Sequence, residues 1–223
     1  MLVDNIYYEQ GKKPGQWVRG RKFGAESGIF GSRGVFTGGY ITPTFGNVNT
    51  IDYIPISTPG NATDFGDLTG TDRYGLGATS DGSRGVFGGG AGLNTIDYIT
   101  IANDSTNATD FGDLTQSRYD LAATSDGSRG VFGGGWAPPR VNTIDYIPIS
   151  IPGNATDFGD LTQSRTSPAA TSDGSRGVFG GGYVGNVPNA NTIDYITIAT
   201  PGNATDFGDL TVSRENLAAT SGD

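Results

Sequence analysis

Four times the chain writes Asp-Phe-Gly-Asp, at Asp64–Asp67, Asp110–Asp113, Asp157–Asp160 and Asp206–Asp209. Carboxylates in D-x-x-D spacing could hold calcium, a hard cation that wants clustered oxygen ligands. The tripeptide Asp-Phe-Gly could also hold the metal of a phosphoryl-transfer site. Neither chemistry finds its other parts. The spacing falls short of an EF-hand loop, the last lysine is Lys22, and without histidine there is no kinase-type catalytic loop. An Asp that caps a turn or pairs with an arginine is the simpler reading.

The absences extend further. With neither cysteine nor histidine, the chain cannot form disulfides, thiol nucleophiles, His-based relays or zinc and copper sites of the usual kind. Its glutamates are Glu9, Glu26 and Glu215, none inside a repeat core. These counts argue against an enzyme, and no cofactor is expected.

Asn-Ala-Thr at Asn61, Asn107, Asn154 and Asn203 fits the N-glycosylation sequon. The preceding Pro-Gly or polar residues favour a turn instead. Two arginines recur per unit. Arg33, Arg84, Arg129 and Arg176 form one series, and Arg73, Arg118, Arg165 and Arg214 the other. Repeated in register with Asp52, Asp97, Asp145 and Asp194, they read as ion pairs between neighbouring units. An anion-binding ring is the competing reading.

These motifs belong to a repeat. Asn-Thr-Ile-Asp-Tyr starts at Asn49, Asn94, Asn142 and Asn191, with spacings of 45, 48 and 49 residues. That period, filled with short apolar segments and turns, suits one four-stranded sheet per unit. The small-residue run before Ser-Asp-Gly-Ser predicts an innermost strand, and Asp-Gly a hairpin. Arg-Gly-Val-Phe is then the second strand and Thr-Ile-Asp-Tyr-Ile the third, alternating apolar and polar. The segment carrying Phe65 and Leu68 is the fourth, turned toward the next unit.

The order of arginine, small run, turn, strand ending in Gly-Gly, variable loop, Asp-Tyr strand and aromatic-x-x-Leu resembles the kelch repeat of β-propellers. About 200 residues are covered. Phe65, Phe111, Phe158 and Phe207 stand where kelch repeats usually carry Trp. The resemblance implies an all-β propeller of four-stranded blades. Kelch-type oxidases need copper, histidine and a Tyr–Cys cross-link, so that activity does not carry over. The wording itself (GSRGVFGGG…NTIDYITIA…GNATDFGDLT) is similar to repeat proteins of tailed phages, mostly known as virion components.

The expected boundaries are residues 1–20, an N-terminal basic segment closing the ring, and 21–223, the repeats. Within the latter, units run about 21–73, 73–118, 118–165 and 165–214, with a partial unit over 214–223. Five blades are expected, the fifth composed of Asn5–Gln10 and Gln16–Arg21, with Trp17, together with the C-terminal Leu217–Thr220. Four blades remain the alternative.

Between the Gly triplet and Asn-Thr-Ile-Asp-Tyr the units stop being copies. These gaps carry Tyr40 and Phe45, then Trp136 and Arg140, then Tyr183, and they are the expected binding residues. The expected partners are other virion proteins or a host-surface glycan or protein, in a homo-oligomer or symmetric assembly. A net charge of −9 argues against nucleic acid. Five cations against two acids fill the first 23 residues, leaving nine arginines against 21 acids in the body. No apolar run is long enough to insert in a membrane and no signal peptide is visible. The expected location is the virion; a stand-alone lectin-like protein is the alternative.

Overall fold

The computed structural model describes residues 31–41, 46–103, 106–185 and 189–222. All regular structure among them is β-strand. The first unit holds β1 (Arg33–Thr37), the short hairpin β2 (Tyr40–Ile41) and β3 (Gly46–Asn47), β4 (Thr50–Pro55) and β5 (Thr63–Asp67). The second holds β6 (Gly77–Ser80), β7 (Arg84–Gly88), β8 (Thr95–Thr100) and β9 (Thr109–Asp113). The third repeats this as β10 (Ala122–Ser125), β11 (Arg129–Gly133), β12 (Thr143–Pro148) and β13 (Thr156–Asp160). The fourth follows with β14 (Ala169–Ser172), β15 (Arg176–Gly180), β16 (Thr192–Thr197) and β17 (Thr205–Asp209).

Units two to four are four-stranded antiparallel meanders in chain order, and the first shows β1-β4-β5. The strand order expected from the sequence is therefore observed. The Asp-Gly hairpin has a visible cause: Asp126 Oδ1 accepts from the Ser128 and Arg129 backbone N–H groups, and Gly127 has φ +84°. Register slips once per unit, between Ile144 and Asp145 in the third, where Phe158 has no cross-strand partner. That bulge turns the Phe158 ring onto Tyr146, edge to face at 5.8 Å.

The core lies between sheets rather than within one. Each sheet is a single layer and must bury its faces on its neighbours. Val86, Ile96, Phe111 and Leu114 of the second unit pack on Phe132, Ile147 and Ile149 of the third. The same residue types join the third unit to the fourth and the first to the second. One face always meets the opposite face of the next sheet. Innermost strands β6 and β14 both lie against β10.

The two ends of this series are exposed. Phe207 is 54% exposed where Phe111 and Phe158 are 2% and 3%, and Phe36 is 58% exposed where Phe87 is 3%. Leu217–Thr220, expected as a further inner strand, forms no strand. A four-residue inner strand is held by its hairpin partner, and no described strand pairs with Leu217–Thr220. Residues 1–20, expected to supply the third and outer strands of that blade, lie outside the described residues. No helix of the described residues is long and apolar enough to cross a membrane.

Candidate functional site

Most repeated polar residues join one unit to the next. Arg118 donates to Asp145 Oδ2 at 2.9 Å and to the Phe132 carbonyl at 3.2 Å, and both charged side chains are fully buried. Thr115 Oγ1 donates to the other oxygen of Asp145 at 2.6 Å. Arg165 with Asp194, and Arg73 with Asp97, repeat the pair. Burial presses the Arg118 guanidinium below its ordinary value, and Asp145 acts against that shift.

The second arginine series crosses the same junctions. Arg84 stacks on Tyr98 of its own unit, 4.4 Å from the ring centre, and donates to the Ile149 carbonyl of the next at 2.7 Å. Arg33 and Arg129 do the same with Tyr53 and Tyr146. The Arg73 series thus realises the ion-pair reading, whereas the Arg33 series binds rings and carbonyls instead.

The Asp-Phe-Gly and Asn-Ala-Thr motifs are junction pieces too. Asp110 Oδ1 accepts from Gly112 N at 3.2 Å, within one turn. Gly112 has φ +141°, and a Cβ there would lie 2.5 Å from Gly153 of the next unit. Only glycine fits both constraints. Asn107, Asn154 and Asn203 each accept, through Oδ1, a backbone N–H from the preceding outer strand. Among the described residues, no three acidic side chains gather into a metal site.

What remains is the end of the sheets where the variable loops lie. Two residues after each recurrent arginine stand Gly75, Asp120, Ser167 and Asn216, with φ of +64°, +54°, +53° and +54°. Asp120 N donates to the Gly75 carbonyl at 2.6 Å, Ser167 N to Asp120 at 2.8 Å and Asn216 N to Ser167 at 3.2 Å. With Leu76, Leu121, Pro168 and Leu217 they line a depression of about 290 Å³. Burial raises the Asp120 carboxyl above its ordinary value, Glu215 adds to that, and the polar neighbour Thr166 opposes it.

The variable loops border this depression directly. Tyr119 and Trp136 exchange two backbone hydrogen bonds, at 3.2 and 2.7 Å. Thr166 and Tyr183 do likewise, at 3.1 and 2.8 Å. Arg140 joins the two loops: its guanidinium lies 5.4 Å from the Trp136 ring and 5.0 Å from the Tyr183 ring. A side chain at Gly185 would overlap that guanidinium. The Tyr74 and Tyr119 rings meet nearby at a tilt of 55°, their centres 5.5 Å apart.

Trp136, Arg140 and Tyr183 are thus one cluster. All three are half-buried rather than protruding. Tyr40 is 54% exposed on the separate β2–β3 hairpin, and Phe45 lies outside the described residues. The depression itself was not anticipated from the sequence. Its signal is a position inside near-identical repeats that varies among Gly, Asp, Ser and Asn, three of which are residues that tolerate positive φ. No family model matches the chain, and no curated protein matches it.

Proposed function

We propose that the protein is a non-enzymatic binding module, a five-bladed kelch-like propeller displayed on a phage particle. Its variable-loop face contacts the host surface or other virion proteins. One observation carries the binding reading. The repeated arginines, Asp-Tyr aspartates and Asn-Ala-Thr asparagines engage neighbouring units, whereas Trp136, Arg140 and Tyr183 converge beside a polar depression. Repetition builds the scaffold, and the unrepeated residues supply recognition.

Opposite faces left open at the first and fourth units support closure into a ring, since each is the kind of face the other junctions bury. Residues 1–20 and the C-terminal segment are the material for a fifth blade. The phage assignment rests on the similarity of the repeat wording. A lectin acting as an isolated chain is the second reading, favoured by aromatic rings and hydroxyl partners around one depression.

Electron micrographs of the purified chain should show a ring of five lobes; a rod would overturn closure. Antibody to the chain should label purified particles. Absence from particles, with the isolated chain still binding glycans, would favour the lectin.

A further inference from the structure

We infer that Arg140 is the anion anchor of this face and that its ligand is a saccharide bearing a carboxylate. This rests on the reading of the variable-loop end as a binding face. Among the described residues, Arg140 is the only arginine outside the two repeated series. Arg73, Arg118 and Arg165 meet aspartates, and Arg33, Arg84 and Arg129 meet carbonyls of the next unit. Arg140, like Arg176 and Arg214 at the open end of the fourth unit, meets neither, but it alone lies against the rings of two variable loops. Two aromatic rings orient its guanidinium, and no described acceptor lies on its N–H groups.

A stacked guanidinium is pre-organised to donate two parallel hydrogen bonds to a planar carboxylate. The loop that carries it is closed on itself: Ala137 N donates to the Pro139 carbonyl and Val141 N to Gly135. Little freedom is then lost on binding.

The surroundings select the rest of the ligand. Tyr119 pairs with Trp136 and precedes Asp120; Thr166 pairs with Tyr183 and precedes Ser167. The cation–aromatic cluster therefore borders a depression lined by a carboxyl, a hydroxyl and, at Asn216, an amide. Rings suit the C–H faces of a pyranose, the polar side chains its hydroxyls, and Arg140 its acid. A strongly acidic peptide would supply the anion but would face Asp120, Glu215 and a chain of net charge −9.

The test is calorimetric titration of the full chain with digalacturonate, 3′-sialyllactose, lactose and hexaglutamate. At least one acidic sugar should bind about tenfold or more tightly than lactose. Arg140→Lys should lose about tenfold of that affinity, because an ammonium keeps the charge but not the fork. An unchanged melting midpoint would show that the variant is folded.

Equal binding of lactose would remove the anion role while leaving a glycan-binding face. Hexaglutamate binding as tightly as the sugars would make the ligand a peptide and overturn the inference. So would full affinity in Arg140→Lys, or no binding by any probe. In that last case the broader reading still stands or falls on particle labelling and on attachment by particles carrying altered loops.

Discussion

Arg118 and Asp145 are 27 residues apart in sequence, yet their side chains meet at 2.9 Å with no exposed surface on either. Arg118 sits in the connector after β9, its backbone bonded to Leu93 and Gly90 of the second unit, and Asp145 lies in β12 of the third, so the pair is a bolt across a junction. Its energetic meaning is asymmetric. A buried pair contributes little over an apolar substitute, but a lone buried charge is costly. Asp145→Ala should therefore destabilise by roughly 3–5 kcal/mol in urea unfolding. The double variant Arg118→Met with Asp145→Leu should recover much of that loss. A cost no larger than that of a surface substitution would show the pair to be solvated in solution.

Gly112 and Gly208 occupy the same place in the second and fourth units, with φ of +141° and +136°. A Cβ at Gly112 would strike Gly153, whereas a Cβ at Gly208 would meet no described neighbour within 4 Å. Backbone strain is common to both positions; the clash is not. Closure of the ring by residues 1–20 predicts that Gly208→Ala in the full chain costs as much as Gly112→Ala. Each should exceed strain alone by roughly 1–3 kcal/mol. Removing residues 1–20 should abolish the excess at Gly208 only. An excess already missing from the full chain would mean that the fourth unit ends the stack.

Much of this scaffold could be read from the sequence because repetition averages out local ambiguity. The strand order followed from turn chemistry and alternation, and the inter-unit role of the arginines from their register with Asp97, Asp145 and Asp194. The depression was hidden for a physical reason. Its walls come from Gly75, Asp120, Ser167 and Asn216, far apart in sequence and brought together only when the sheets stack. The half-burial of Trp136 was equally out of reach, since it depends on the backbone pairing of Trp136 with Tyr119. An aromatic residue in a variable loop signals recognition, but pairing decides whether it protrudes.

Ala123 tests the inner layer. It faces Phe132 across the β10–β11 ladder and packs against the cluster shared by the second and third units. A Cβ placed on Gly77 would sit 3.2 Å from the Ala123 Cβ, so the two inner strands already touch. Ala123→Leu should overpack this layer and lower stability by roughly 1–3 kcal/mol, read from the unfolding midpoint. An unchanged midpoint would mean that the inner strands part more readily than the geometry allows.

Asp120 makes stability depend on pH in an unusual sense for a carboxyl. Burial and Glu215 raise its folded value above the ordinary one. Between those two values the native state holds a proton that the unfolded chain has released. Stability from this group therefore falls as pH rises through the window, and the cost persists at neutral pH. Asn is the fitting replacement. It carries no charge, and Asn216 already holds the matching φ of +54°. Asp120→Asn should raise the melting midpoint at pH 7 relative to the parent, and the gain should vanish well below the ordinary carboxylate range, where Asp120 is neutral in both states. Comparing variant with parent at each pH removes the shared contribution of the other acids. A lower midpoint at pH 7 would show instead that the ionised carboxylate is itself a structural element of the depression.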